Sequence, residues 1–392
     1  MTIDRRSLLK GALALPAAAA LPSLFARALL GAEPGGRILV LVQLDGGNDG
    51  LNTVVPVDDD GYHRARPGLA IARDQVVRLA DGHPGLHPSL AALRGAWDDA
   101  ALGVVQGVGY PDASRSHFTS TDVWHTARTE PQPRWTGWVG RALDRTARGD
   151  VPALYLDPGP LSLAQVGERI VVPSVADAGR FRVRGDPNLL GGLVERPREG
   201  DALEYIRRSA RQAYRVAARI ESVLSGDTGR DRYPATDLAL RLWQIARMAQ
   251  AGLPARVYAV RLTGFDTHAR QAPAHAALLK TLGDALGAFH ADLKKNGLAE
   301  RVLTMTYSEF GRRVRENRSL GTDHGAAAPM LLMSGGLRGG FHGEHPSLTD
   351  LEDGDLRHKI DFRQVYATIL ERWLEVESQP ILGQAYRPLG FL

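Results

Sequence analysis

From Arg37 to Leu44 the chain reads Arg-Ile-Leu-Val-Leu-Val-Gln-Leu, a nearly unbroken apolar run. A strand with one wet face would alternate, so this run predicts a strand buried on both faces, as in a parallel sheet covered by helices. It stops at the Gly-rich turn Asp45-Gly46-Gly47-Asn48-Asp49-Gly50. Leu102 to Val108, Ala153 to Leu156, Val257 to Leu262, Val302 to Tyr307 and Met330 to Met333 read as further strands. Between and after them the period changes. Apolar residues three and four apart predict helices over Ala202 to Leu224, Thr236 to Ala251, Ala272 to Lys295 and Asp361 to Leu374, the last with a stripe of Val365, Ile369 and Leu370. Strands alternating with helices predict an α/β fold, a doubly wound, mostly parallel sheet with helices on both faces.

In such sheets ligands collect beyond the carboxyl ends of the strands, and that rule selects the candidate chemistry. Asp45 and Asp49 follow the first strand, Ser116 the second, Asp266 and His268 the Val257 strand, and Glu309 with Arg312 the Val302 strand. Asp323 and His324 come one strand length later, in Thr322-Asp323-His324-Gly325. The chain has no cysteine, and carboxylates with neutral imidazoles are the ligands a thiol-free chain offers a divalent metal. Each residue alone has a plainer reading. An Asp in a Gly-rich turn is a turn former or cap, Asp266 with His268 suits an Asx turn, and His324 suits a satisfied loop histidine. Shared placement at strand ends favours a metal site for one or two ions of zinc, manganese or calcium. Ser116, with Ser114 and Thr119 on the same turn, brings a hydroxyl to this edge and reads by itself as a helix N-cap.

Composition adds address and little else. Asp4-Arg5-Arg6-Ser7-Leu8-Leu9-Lys10, an apolar Ala/Leu/Pro stretch and Ala26-Arg27-Ala28 form an export signal over residues 1–30, and the arginine pair points to the twin-arginine translocase. Gly11 to Leu24 is 14 residues, short of the roughly 20 a membrane span requires. The expected destination is periplasmic or secreted, with no membrane span in the mature chain and no disulfide to stabilise it there. A net charge of +4, part of it in the signal, carries no nucleic-acid footprint. About 360 residues remain for the mature chain, read as one domain over 31–392 with a helical insertion at about 200–252.

Five ordered motifs carry a family resemblance: Gly-Gly-Asn-Asp-Gly-Leu-Asn-Thr at 46–53, Ser-His-Phe at 116–118, Gly-Phe-Asp-Thr-His at 264–268, Ser-Glu-Phe-Gly-Arg at 308–312 and Gly-Thr-Asp-His-Gly at 321–325. Together they resemble DUF1501, a family of exported proteins placed near the alkaline phosphatase and sulfatase superfamily. The resemblance implies an alkaline-phosphatase-like fold and a metal-dependent hydrolase of small phosphate or sulfate esters acting through a hydroxyl. The superfamily order places Asp45 or Asp49 first, Ser116 as nucleophile, then Asp266 with His268, or His275 in its stead. By topology Glu309 takes the next carboxylate place and His324 that of the late histidine, while Asp323-His324-Gly325 matches the superfamily's Asp-His-Gly by local sequence. Phe310 then stands where a second-metal histidine would be, and Arg312 supplies positive charge for an anionic oxygen. The motif argues against a formylglycine sulfatase, since Cys is absent and Ser116 lacks the Pro and Arg that follow the modified residue. The alternative is an exported binding or assembly protein that keeps the fold, with or without a structural metal, and has no turnover.

Remaining features read as scaffold. Trp124, Trp135 and Trp138 suit packing under a loop more than a carbohydrate pocket, His342 and His345 suit a Gly-rich surface loop, and Glu316 with Asn317 would finish a helix.

Overall fold

The computed structural model describes residues 36–130, 135–146, 151–176, 220–224, 226 and 228–392. The export signal and most of the helix expected over 202–224 lie outside them. The apolar runs form the main sheet: β1 (Ile38–Asp45), β2 (Leu102–Gly109), β3 (Ala153–Tyr155), β4 (Val257–Thr263), β5 (Val302–Tyr307), β6 (Ala328–Met333), β7 (Gly340–His342) and β8 (Ile360–Asp361). Their order is β8-β2-β6-β5-β1-β4-β3, with β7 also paired to β2. β1 lies between β4 and β5 and parallel to both, with Gln43 level with Arg261 and Tyr307.

β6 is the exception, antiparallel to β2 and to β5. A parallel return needs a long crossover, usually helical, and the link from β5 to β6 contains no helix. The chain therefore turns back at the carboxyl edge. In that link Glu316 and Asn317 do not finish a helix as expected. Glu316 accepts from the Gly68 and Leu69 backbone, and Asn317 Oδ1 accepts from the Ser319 and Gly321 backbone in a turn.

Helices cover both faces, which is why β1 shows no alternation. Val40 and Val42 pack with Trp243 of α3 (Asp237–Gln250) and with Leu282 and Phe289 of α4 (Gln271–Lys295). Leu39 and Leu41 join the opposite core with Trp124 of α1 (His117–Thr126), Trp138 of α2 (Trp138–Thr146) and Tyr366 of α5 (Phe362–Thr368). Each such aliphatic side chain contributes about 1.5–3 kcal/mol on burial. Trp124 stacks 4.4 Å from Phe362 and Trp138 4.3 Å from Tyr366, so both serve packing, while Trp135 is half exposed.

Local signals set the helix ends. Thr236 Oγ1 accepts from Ala239 N at 3.3 Å to start α3, and Asp361 with Gln364 forms a capping box on α5. The predicted stripe of Val365, Ile369 and Leu370 is fully buried, with the last two on a π-helical turn over Ile369–Trp373. Among the described residues no helix is long and apolar enough to cross a membrane.

Candidate metal centre

The parallel strands β1, β2, β4 and β5 deliver their following loops to one edge, and β6, running the other way, begins there. Asp323 and His324 do not follow a strand, yet by preceding β6 they reach the same edge. Four loops converge: the β1 turn, the start of α1, the segment after β4 and the β5–β6 link.

Asp266 is the point of convergence. Its Oδ1 lies 2.9 Å from His268 Nε2 and 3.1 Å from His324 Nε2, and its Oδ2 lies 3.5 Å from His117 Nε2. The two imidazole nitrogens of His268 and His324 are themselves 2.9 Å apart. Atoms of His117, Asp266 and His324 all fall within 4.8 Å of one another, as a shared cation requires. Partial burial pushes the Asp266 carboxyl up, but hydrogen bonds from Arg312 and His324, with the charges of Arg312 and His268, outweigh it and hold the group at about 2. Asp266 is therefore ionised at any physiological pH.

The far nitrogens explain the orientation of the rings. His117 Nδ1 lies 2.8 Å from Glu309 Oε1, His324 Nδ1 lies 2.8 Å from the Arg115 carbonyl and His268 Nδ1 faces Asp323 Oδ1 at 3.5 Å. Carbonyl and carboxylate oxygens only accept, so each Nδ1 can carry a proton, and a cation that replaces any proton on Nε2 would then meet an Nε2 lone pair beside Asp266. Histidines that ligate metals are held in this way, the second nitrogen donating to an outer acceptor. Two Nε2 atoms 2.9 Å apart and both against one ionised Asp266 oxygen call for a positive charge among them, a proton or a cation. The donor set fits a divalent cation with nitrogen and oxygen ligands.

Of the residues expected to ligate, the structure brings Asp266, His268 and His324 together. Glu309 is buried and its Oε1 also accepts from Gly46 N at 2.9 Å, which makes it the outer partner of His117. Asp323, bonded to Asn317 at 3.1 Å, is likewise the outer partner of His268. Asp45 stands beside the cluster, and among the described residues its side chain is held by Gln43 Nε2 at 3.4 Å and Arg261 Nη1 at 3.7 Å. Burial and the Glu309 charge push its carboxyl up.

Asp49 belongs elsewhere, contrary to the ligand reading. It is buried against Arg66 at 2.6 Å, accepts from Gln271 and caps Asn52, so its oxygens are occupied by a structural network. His275 is no substitute for His268 either: it is buried, 3.0 Å from Asn48 Oδ1, and burial pushes it down to about 4. His117 is the residue missed. It sits in the Ser116-His117-Phe118 motif, one position from the serine that drew attention.

Arg312 also departs from expectation. It is buried and its donors go to the carbonyls of Gly47 at 2.7 Å, Thr322 at 2.8 Å, Phe265 at 3.0 Å and Gly46, and to Asp266 at 2.8 Å. The guanidinium is fully buried, with Nε, Nη1 and Nη2 all engaged, so it offers no exposed face to a substrate anion, and its role is to tie three loops together. Phe310 is the floor, with its ring 4.9 Å from His117 and 4.5 Å from His324. Gly47, at φ +77, leaves room for it, since a Cβ there would lie 2.3 Å from the Phe310 ring.

Ser116 opens α1 in extended conformation, exposed, and its side chain makes no capping bond. Ser114 Oγ is occupied as the acceptor for Ser116 N at 3.1 Å. His342 lies on β7, away from these loops, with Nε2 2.8 Å from the Arg338 carbonyl.

Residues 80–383 match the family model described as protein of unknown function (DUF1501). The chain belongs to the DUF1501 family. Residues 2–22 of this DUF1501 protein match the twin-arginine translocation signal, which directs export to the periplasm or beyond. Replacing both Arg5 and Arg6 by Lys should leave unprocessed precursor in the cytoplasm on fractionation. Normal processing of that variant would remove the assignment. No curated protein matches the chain. Among solved structures it is similar to PsFucS1 sulfatase from Pseudoalteromonas sp., at 10% identity over 93% of this chain and 71% of that one, TM-score 0.38. It is also similar to the phosphonate monoester hydrolase SpPMH from Silicibacter pomeroyi, at 12% identity over 90% and 77%, TM-score 0.38. A protein in the alkaline phosphatase superfamily from Vibrio parahaemolyticus matches at 9% identity over 78% and 62%, TM-score 0.35.

Proposed function

We propose that this DUF1501 protein is an exported metal-dependent hydrolase of phosphate or sulfate esters. The observation that carries the reading is the convergence of three Nε2 atoms on one ionised carboxylate, each ring with an acceptor at Nδ1. A divalent cation there would supply Lewis acidity toward an ester oxygen and lower the pKa of a nearby hydroxyl.

The chain's own residues have separable tasks. His117, Asp266, His268 and His324 hold the ion, while Glu309, Asp323 and the Arg115 carbonyl fix the rings. Ser116 is the hydroxyl nucleophile. A helix-opening serine that caps would bond a backbone N–H, and Ser116 does not, so its oxygen is unspent beside His117. Asp45, whose carboxyl is pushed up where that of Asp266 is held down, is a carboxylate at this edge able to take a proton. On this reading Ser116→Ala removes turnover of aryl phosphate or aryl sulfate by about 1,000-fold or more. Metal content and melting temperature stay at wild-type values. Full activity in Ser116→Ala would reassign the nucleophile to Thr119 or to solvent.

One observation favours a second reading, an exported metal-binding protein without turnover: Arg312, the expected anion partner, has spent its donors on carbonyls and Asp266. A screen of phosphomonoesters, phosphodiesters and sulfate esters on metal-loaded protein separates the two, since the second reading allows no turnover of any.

A further inference from the structure

One arginine at the same edge keeps donors unspent. Arg261 is level with Gln43 and Tyr307 on the neighbouring strands. Leu41, Ala259 and Met305 lie in the core on the α1 side, and the two-residue period of a strand puts Asp45 and Arg261 on that same face. Asp45 feels the charges of Glu309, Arg261 and His117 together, so guanidinium and imidazole flank one carboxylate. Two strand spacings of about 4.8 Å separate β4 from β5, roughly 10 Å across the sheet.

The other arginines of the site are committed. Arg312 bonds carbonyls, and Arg115 places Nε and Nη2 on Asp355 at 2.9 and 2.6 Å. Arg261 donates one side-chain hydrogen bond among the described residues, from Nη2 to Asp157 Oδ1 at 3.0 Å. Its Nη1 stands 3.7 Å from Asp45, beyond hydrogen-bond distance, and its Nε has no partner. The side chain is 27% exposed.

Its main partner is shared. Asp157 Oδ1 also accepts from Gly159 N at 2.8 Å, and Asp157 Oδ2 faces Arg241 at 3.5 Å. Two guanidiniums therefore share one buried carboxylate. Gly159 provides the room, because a Cβ there would lie 2.5 Å from Arg261 Nη2.

We infer that Arg261 binds a second anionic group on the leaving group of the ester, a carboxylate, phosphate or sulfate set about one ring away from the scissile centre. The guanidinium fork matches such oxygens, and its unspent Nη1 is the donor available to them. This inference rests on the hydrolase reading and narrows its substrate class to esters with two negative groups.

The test compares phenyl phosphate with 4-carboxyphenyl phosphate on the metal-loaded mature protein. Arg261→Gln should raise KM for the carboxylated ester about tenfold or more, with kcat within about twofold and phenyl phosphate little changed. Arg261→Lys should recover part of the loss, keeping the charge without the fork. Equal losses on both esters would overturn the inference and leave Arg261 as a structural ion pair. Calorimetric binding of 4-hydroxybenzoate supplies a readout that needs no turnover. If neither these esters nor any in the screen of phosphomonoesters, phosphodiesters and sulfate esters is hydrolysed, the hydrolase reading fails by itself. The anion site then stands if Arg261→Gln weakens wild-type 4-hydroxybenzoate binding, and falls if the wild type does not bind it.

Discussion

Asp266→Ala is expected to empty the metal centre. Every imidazole of the cluster faces this carboxylate, so its loss should lower metal affinity by more than the roughly 10–100-fold that removal of an outer partner costs. Glu309→Gln, which alters only the acceptor behind His117, should fall within that 10–100-fold range. Competition against a chelator of known affinity measures both. Melting curves give an independent reading: metal at 100 times its Kd stabilises the folded state by about 2.7 kcal/mol, so the wild type should gain melting temperature on metal addition and Asp266→Ala should not. Ester hydrolysis should fall with the metal. An Asp266→Ala variant that kept wild-type affinity would remove this carboxylate from the centre.

Arg66→Met is expected to destabilise the fold by about 3–5 kcal/mol, because it leaves the Asp49 carboxylate buried without its cation. Arg66 also donates to the carbonyls of Val314 at 2.9 Å and Arg313 at 2.9 Å, so the loss reaches the β5–β6 link as well. Burial pushes the Asp49 carboxyl up, but the Arg66 charge and the bonds from Arg66 and Gln271 outweigh it and the net shift is downward. A carboxyl lowered on folding contributes stability above the ordinary carboxylate range and loses it as pH falls through its folded value. The gap between wild type and Arg66→Met should therefore narrow in acid. Metal bound per folded molecule should not change, and a loss of metal at undiminished stability would return Asp49 to the ligand set. Denaturant titration with metal analysis on the same samples separates the outcomes.

The sheet was legible where residues are buried on both faces. β1 and β5 follow the apolar runs to within a residue, and α3 and α4 follow the three- and four-residue spacing. Strand direction is not written in that pattern, so the reversal of β6 came only with the structure. Asp266, His268 and His324 were legible because the carboxyl-edge rule acts on strands that could be read. His117 was not, since α1 is a polar segment, His-Phe-Thr-Ser-Thr-Asp-Val-Trp-His-Thr, without the apolar stripe that marks a helix start. Asp49 looked like a ligand because its partner Arg66 lies 17 residues away with nothing in the sequence to join them. Arg312 looked like an anion binder for the same reason. Its partners are backbone carbonyls, and every residue type has one.

Anomalous scattering from crystals of the mature protein loaded with zinc tests the central claim most directly. A single strong peak is expected about 2.0–2.2 Å from Asp266 oxygen and from Nε2 of His117, His268 and His324, with Glu309 and Asp323 bonded to Nδ1 atoms and not to the ion. A peak placed on Asp49, or protein that takes up no zinc while the four side chains keep these positions, would contradict it.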